Sequence, residues 1–158
     1  IGSGSFATVY EIKGTGKVIK FGSYGGSRRF ERTKKIMNSV IGREFKNVVQ
    51  HFYYQFYDGE FTQSMVMENL NPISKEIKEM FKSISEKRPL PGIIKSGEYK
   101  DPDFRFYDIS SQYIKELDQL QNGMEELEQA NVPFFGELHT GNIMRDPKTN
   151  ELKIVDIT

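Results

Sequence analysis

The chain contains no cysteine in its 158 residues. Disulfides, thiolate zinc sites and cysteine nucleophiles are therefore excluded, and the composition is compatible with a reducing cytoplasm. No apolar run approaches the ~20 residues needed to cross a bilayer, and no basic-then-apolar signal peptide precedes the first glycines. Because the first residue is Ile1 and not Met, we expect a trimmed or partial chain.

The chain also has no net charge, because 22 Lys and Arg residues balance 22 Asp and Glu residues. A neutral chain has no overall field with which to gather nucleic acid or an anionic membrane. Neither is therefore an expected partner. One local basic cluster favours a solvated helix face; its members are Arg28, Arg29, Arg32, Lys34 and Lys35.

The first 70 residues are rich in strand signals. β-favouring stretches on both sides of residues 13–17 predict two strands, and apolar spacing predicts a helix from Arg28 to about Ile41. Two more strands, Val48–Tyr57 and Phe61–Met67, flank the turn signal Asp58-Gly59. We expect a twisted antiparallel sheet of about five strands with one helix packed on it.

The remaining residues are mainly helical in pattern. Apolar spacing predicts a helix from Ile73 to about Ser85 and a long helix from about Ile109 to Asn131. Residues 87–92 read as a chain break and residues 97–103 as a loop, and two short strands flank the turn at 146–150. The expected organisation is a strand-rich unit, 1–70, and a helical unit, 71–158, around a cleft near Glu68.

A glycine-rich turn opens the chain; its residues are Gly2, Ser3, Gly4, Ser5 and Phe6. Because glycine has no Cβ, such a turn lets backbone N–H groups approach a polyphosphate. Val9 follows and could rest on a nucleobase, and Lys20 lies in the next apolar strand. A dinucleotide-binding Rossmann fingerprint is excluded, since no helix pattern follows the glycines.

Polar residues near the other end form an acidic-x-His-x-x-Asn arrangement of Glu137, His139 and Asn142, followed by Asp156 in an apolar strand. Phosphoryl transfer needs a carboxylate near the nucleophile, together with an amide and a second carboxylate that hold magnesium. Mg²⁺ prefers oxygen ligands, which Asn142 and Asp156 supply. The spacing therefore indicates phosphoryl transfer chemistry.

Four elements thus follow one another along the chain: the glycine-rich turn, Lys20, the segment 137–142 and Asp156. In this order they resemble the elements of protein-kinase-like phosphotransferases. The segment 138–144, Leu-His-Thr-Gly-Asn-Ile-Met, is similar to the catalytic loop of atypical kinases, including phage-encoded protein kinases, the ABC1 family and aminoglycoside-type phosphotransferases. The resemblance implies an α+β, protein-kinase-like bilobal fold with a five-stranded N-lobe sheet and a reduced helical C-lobe. It implies ATP and Mg²⁺ as cofactors and, for a viral protein, the host cytoplasm.

The resemblance also implies roles in nucleotide binding. Lys20 would contact the α and β phosphates, oriented by Glu31 on the following helix or, alternatively, by Glu44. Met67 would close the back of the adenine pocket. The Glu68 carbonyl and the Leu70 amide would then hydrogen-bond the adenine edge.

In the same resemblance, Glu137 would accept the proton of the attacking hydroxyl. Asn142 and Asp156 would ligate magnesium, and His139 would donate to the γ-phosphate or hold the loop. These families have Asp where this chain has Glu137. The extra methylene moves the carboxylate by about 1.5 Å, so we expect slow catalysis or a disabled variant.

Four functions remain open on these residues. A protein kinase acting on a hydroxyl is favoured, and a small-molecule kinase of the aminoglycoside or choline type is close behind it. Glu137 also allows a nucleotide-binding pseudokinase or scaffold, and the motifs could be coincidental in a small α+β domain. With few helices, the second unit would expose apolar surface at Phe134 and Phe135, which is compatible with a dimer or partner contact.

Overall fold

The computed structural model describes residues 2–3, 7–23, 27–57, 62–101, 111–133 and 138–158, and its architecture is α+β. The strands are β1 (Gly2–Ser3), β2 (Ala7–Ile12), β3 (Lys17–Ser23), β4 (His51–Tyr57), β5 (Thr62–Glu68), β6 (Asn71–Pro72), β7 (Ile143–Arg145) and β8 (Leu152–Ile154). The helices are α1 (Ser27–Val40), α2 (Lys75–Lys87), α3 (Leu90–Ser96) and α4 (Ser111–Gln129).

The antiparallel N-terminal sheet has four full strands in the order β2-β3-β5-β4, so the predicted number of five is wrong. Gly2–Ser3 adds only a two-residue pairing at the edge of β2. The turn between β2 and β3 includes Gly16 at φ 67°, a conformation that glycine adopts without steric cost. The register sets Val9 opposite Lys20 and Lys20 opposite Met65. These three side chains therefore share one face of the sheet.

A second sheet of three short strands has the order β6-β7-β8. Strands β7 and β8 form the hairpin that the sequence predicts around residues 146–150. The segment before β4 connects the two sheets, because Val48 forms a parallel bridge with Ile154 and the Val49 N–H donates to the Ile154 carbonyl at 2.9 Å. The residues after Ile154 therefore continue beside the start of β4.

Helices α1, α2 and α4 confirm the three helices predicted from apolar spacing. Helix α2 begins after Ser74, whose hydroxyl accepts a hydrogen bond from the Ile77 N–H at 3.3 Å and so satisfies one of the free N–H groups of its first turn. In the part of the chain that the structure describes, no helix is both long enough and apolar enough to span a membrane.

Helix α3 begins within residues 87–92, which the sequence analysis treats as a chain break. It begins after Pro89, with Pro91 in its first turn, where the missing proline N–H removes no helical hydrogen bond. Gly97 ends the helix in the left-handed conformation, at φ 73°. Its buried side chains are Leu90, Ile93 and Ile94. Tertiary packing, which local spacing does not reveal, stabilises this short helix.

Helix α4 approaches the connection between the sheets at Gly123. A Cβ atom there would lie 2.5 Å from the Asn47 carbonyl oxygen, so the contact requires glycine. Asn47 is buried; its side-chain N–H donates to the Leu152 carbonyl at 2.8 Å, and its backbone N–H donates to Glu126 Oε1 at 2.8 Å. These contacts bind the segment before β4, the second sheet and α4 together.

A single buried cluster continues from the N-terminal sheet into the helical half. It includes Met37, Met65, Phe81, Leu117 and Ile154. The core therefore crosses residue 70, and the expected division into units 1–70 and 71–158 stays a prediction.

Candidate functional site

A cleft of about 530 Å³ lies between the two sheets. Apolar side chains line much of it; those from the N-terminal sheet are Ala7, Val9, Val18 and Met67, and those from the opposite side are Met144 and Val155. Strand alternation explains the first set, since residues separated by two positions in a strand point to the same face. Lys20 and Asp156 supply charge at the same cleft.

Lys20 and Asp156 form an ion pair within this cleft, although 136 residues separate them in the sequence. The Lys20 ammonium lies 2.6 Å from Asp156 Oδ1, and the two side chains are 17% and 57% exposed. Asp156 has φ 54°, a left-handed conformation that is unusual for a residue other than glycine. Such strain is often stored at functional sites. The contact with the Lys20 ammonium holds the Asp156 carboxylate toward β3.

A short 3₁₀ turn, Thr140–Asn142, follows His139. The Gly141 N–H donates to His139 Nδ1 at 2.9 Å, and the His139 N–H donates to Asn142 Oδ1 at 2.9 Å. A Cβ on Gly141 would lie 2.7 Å from the imidazole ring, so a side chain there would displace the exposed His139 ring from its bond with the Gly141 N–H. Asn142 is buried, and its carbonyl accepts a hydrogen bond from the Val155 N–H at 2.9 Å. The amide is therefore fixed next to the segment that carries Asp156.

Buried Lys153, which the sequence analysis does not single out, links the end of β5 to the β7–β8 hairpin. Lys153 donates to Glu68 Oε1 at 2.6 Å and lies 3.3 Å from Asp146 Oδ2. Glu68 Oε1 also accepts a hydrogen bond from the Gln50 N–H at 3.0 Å. A charged residue within the apolar run of β8 is the sequence signal that could have drawn attention to Lys153.

Asp146 has a pKa below its ordinary value, although burial by itself would raise it. Hydrogen bonds from the Lys148 N–H and from the Lys153 ammonium, together with the charge of that ammonium, outweigh the burial. The Lys148 N–H donates to Asp146 Oδ1 at 2.8 Å. The carboxylate therefore stays ionised against Lys153, and the hairpin that ends in Asp156 is held by charge-assisted hydrogen bonds.

Leu70 lines the cleft immediately after this connection. Within the described residues, its N–H donates to no protein acceptor, whereas the neighbouring Asn69 N–H donates to the Gly16 carbonyl at 3.0 Å. An unpaired amide beside an apolar cleft is available to a ligand. Glu68, whose Oε1 accepts from the Lys153 ammonium, also lines the cleft.

His51 is a second residue that the sequence analysis misses. It is 3% exposed, and its Nδ1 has no hydrogen-bond partner in the described part of the chain. Burial and, to a smaller extent, the charge of Lys20 lower the pKa of His51 to about 4, against the opposing effects of a backbone hydrogen bond to Val49 and the charge of Asp156. A neutral imidazole therefore lies close to the ion pair.

Neither predicted carboxylate partner of Lys20 reaches it. Helix α1 turns Phe30, Thr33 and Met37 inward, which leaves Glu31 exposed beside a different cavity. Glu44 is exposed in the loop that follows α1. One residue along a helix rotates the side chain by about 100°, so a position next to a buried one can point to solvent. The position of the helix relative to β3 could not be derived from spacing.

Six of the predicted site residues line the cleft together: Val9, Lys20, Met67, Glu68, Leu70 and Asp156. His139 and Asn142 flank Gly141, which lines it as well. The backbone of Gly2 and Ser3 pairs with β2. Gly4, Ser5, Phe6 and Glu137 lie outside the described residues, as do Phe134 and Phe135.

Among the described residues, no group of three or more His, Cys, Asp or Glu side chains could hold a metal ion. Asn142 and Asp156 nevertheless offer an amide oxygen and a carboxylate, the hard ligands that Mg²⁺ takes when phosphate oxygens complete its coordination. The donor chemistry of this pair therefore fits magnesium. Neither the protein-family models nor the curated proteins include a match to this chain.

Proposed function

We propose that this chain is an ATP-dependent phosphotransferase with a protein-kinase-like bilobal fold. In this proposal it transfers the γ-phosphate of Mg·ATP to a hydroxyl group, and a protein hydroxyl is the favoured acceptor. The observation that carries the proposal is the Lys20–Asp156 pair, which joins β3 to the end of β8 within one cleft. The two charges that a nucleotide triphosphate and its cation require are thus available at the same place.

The apolar part of the cleft suits the adenine ring. Val9, Val18 and Met67 offer flat apolar contact from the sheet side, and the unpaired Leu70 N–H offers one donor to a ring nitrogen. A volume of about 530 Å³ falls within the usual range of small-molecule sites. The Glu68 carbonyl would accept from the exocyclic amine while its side chain stays bound to Lys153.

The charged part of the cleft suits the phosphates. Lys20 is well placed to exchange its bond with Asp156 for one with a phosphate oxygen, since both partners are anionic and the ammonium can reorient. Asp156 and Asn142 would then hold Mg²⁺, which neutralises charge on the β and γ phosphates when bound. The His139 imidazole accepts from the Gly141 N–H, which supports a role in holding this loop.

Lys20→Met and Asp156→Asn test the proposal by isothermal titration with Mg·ATP. Charge-assisted hydrogen bonds contribute about 1.5–3 kcal/mol, so each variant should bind ATP about tenfold to a hundredfold more weakly. Lys17→Met is the matched control, because Lys17 lies on the same strand but on its opposite face. Unchanged affinity in both cleft variants would refute the proposal.

Glu137 favours a second candidate, a nucleotide-binding pseudokinase. Its extra methylene displaces the carboxylate by about 1.5 Å, and a displacement of about 1 Å can lower a rate about a hundredfold. Phosphate transfer to a mixed protein acceptor and to an aminoglycoside, measured for the wild type and for Glu137→Asp, separates the possibilities. ATP binding without turnover in either form would favour the pseudokinase. Turnover on the aminoglycoside alone would favour a small-molecule kinase.

A further inference from the structure

Large apolar side chains that are exposed to solvent are concentrated in the N-terminal sheet. Within the described residues, all of them belong to strands β2, β3 and β4, and they are between 36% and 53% exposed: Tyr10, Phe21, Phe52, Tyr53 and Tyr57. Single apolar residues on a protein surface are ordinary. Five large aromatic side chains on one sheet are not, and such a concentration marks an interaction surface.

The strand register places these side chains on one face of the sheet. One row crosses all four full strands and consists of Tyr10, Ile19, Val66 and Tyr53. The Phe21 ring is diagonal to the Tyr10 ring, and their centres lie 6.1 Å apart in an edge-to-face contact. Tyr57 follows Tyr53 by four residues of β4 and therefore points to the same side.

Phe52 also belongs to this face, at the point where the register between β4 and β5 shifts. The Lys17 ammonium lies 4.1 Å from the centre of the Phe52 ring, and Lys17 precedes Ile19 by two residues of β3. We call the surface made by the five exposed aromatic side chains, Ile19 and Val66 the outer face.

The opposite face of the sheet is covered within the chain itself. Its Phe56 ring contacts the Phe30 ring of α1, and its Val9, Val18 and Met67 side chains line the cleft. An antiparallel sheet with one covered face usually has polar side chains on the other face. The outer face is aromatic instead, which favours a second surface packed on it.

The outer face carries little charge. Glu11 and Lys20 point to the opposite side, since they are paired with or lie next to cleft residues, and the Glu68 carboxylate is bound to Lys153. Among the described residues of the four strands, Lys17 is therefore the single ion at this face. A nucleic acid strand would need a positively charged groove along its phosphates, whereas a face without net charge can meet its own copy without strong repulsion.

We propose that the outer face is the interface of a homodimer in which two copies of this chain pack sheet against sheet. With about 200 Å² per aromatic side chain, the five residues expose about 450 Å² of aromatic surface. That area is more than half of the about 800 Å² that each partner buries in a standard stable interface. Half-buried Ile19 and Val66 add to it. Aromatic residues are also enriched, and charged residues depleted, at the centre of such interfaces.

A two-fold axis lets this face pair with itself. Facing sheets pack about 10 Å apart with interdigitated side chains. Lys17 lies at one end of β3 and Ser23 at the other, so an axis across the middle of the strand sets the Lys17 of one copy near the Ser23 of its partner and keeps the two ammonium groups apart. The cleft opens on the opposite side of the sheet, so dimerisation does not depend on the proposed function.

Sedimentation equilibrium tests the dimer. At a concentration of about 100 μM, the wild type should have twice the mass of one 18.3 kDa chain. Tyr10→Thr/Phe21→Thr replaces two aromatic residues by a polar residue that favours strands, and it should weaken dimerisation at least tenfold. Glu11→Thr is the matched control and should dimerise like the wild type, because Glu11 is exposed on the same strand as Tyr10 but faces the other way.

Thiol labelling locates the interface, because a chain without cysteine gives one thiol per introduced residue. Gln55 is exposed and shares the outer face with Tyr53, two residues before it on β4. Labelling of Gln55→Cys with a maleimide should therefore be slower at concentrations that give the dimer than after dilution. Glu11→Cys should be labelled at the same rate in both conditions. If circular dichroism shows that the double variant is not folded, Tyr53→Thr alone should weaken dimerisation at least threefold.

Four results would overturn the proposal: a single-chain mass for the wild type at about 100 μM, unchanged dimerisation in the folded aromatic variant, an equal loss in Glu11→Thr, or protection of Glu11→Cys in place of Gln55→Cys. Vesicles of phosphatidylcholine and a single-stranded oligonucleotide are tested by co-sedimentation with the same variants. A monomer that binds either of them through Tyr10 and Phe21 would assign the outer face to that ligand and refute the dimer.

Discussion

Lowering the pH from 7 to 5 should destabilise the fold through one residue, His51. The imidazole is buried and its pKa is about 4 in the folded chain, against an ordinary value of 6.5. A histidine with a lowered pKa binds more protons when unfolded. Its stabilising contribution is therefore complete above pH 6.5 and decreases as the pH falls toward 4.

The size of the effect follows from the two pKa values. At pH 5 the unfolded imidazole is almost fully protonated, while the folded one is protonated in only about a tenth of the molecules. The linkage relation then gives a loss of about 2 kcal/mol in the free energy of unfolding between pH 7 and pH 5. A loss of that size is a large fraction of the stability of a small domain.

Urea unfolding, followed by circular dichroism at pH 7, 6 and 5, measures this slope. His51→Gln removes the titrating group, so its free energy of unfolding should change much less over the same range, whatever its stability at pH 7. If His51→Gln loses as much stability as the wild type, carboxylates cause the loss and the reasoning is wrong.

Three further substitutions test other contacts. Gly123→Ala places a Cβ 2.5 Å from the Asn47 carbonyl oxygen and should lower the free energy of unfolding in urea by about 1–3 kcal/mol; an unchanged value would refute the close contact. Asp146→Asn removes the carboxylate beside buried Lys153 and should cost about 1–3 kcal/mol in the same assay. Because the pKa of that carboxyl is lowered from 3.8, the difference from wild type should persist at neutral pH and disappear only below that value. Gly141→Ala sets a Cβ 2.7 Å from the neighbouring imidazole and should lower the rate of phosphate transfer more than the affinity for ATP; equal effects on both would contradict a role confined to the loop.

Much of the local structure could be predicted from the sequence, because helices and turns depend on residues that are close together in the chain. Apolar residues at helical spacing locate α1, α2 and α4, and turn residues locate the hairpins of β2–β3 and β7–β8. The failure at α3 has a matching reason. Its prolines are read as a break, although a proline in the first turn of a helix loses no hydrogen bond.

The same distinction applies to the candidate site: residues within one segment could be predicted, and contacts between distant segments could not. The residue types and order around Asn142 and Asp156 can be read from the sequence, and the proposed function would require them as oxygen ligands and as part of a fixed loop. Pairings between distant residues are not readable. Lys20 meets Asp156 and not Glu31, and His51 lies buried near that pair, because the connection through Val48 sets how the two sheets meet.

The sequence by itself thus determined three of the helices and the hairpins, since each depends on neighbours within a few residues. It also showed which polar residues the chain offers around Asn142 and Asp156. The cleft and the ion pair within it exist only once segments more than a hundred residues apart pack together. That packing is a property of the shared core and of the Gly123–Asn47 contact, which fix the relative position of sheet and helices.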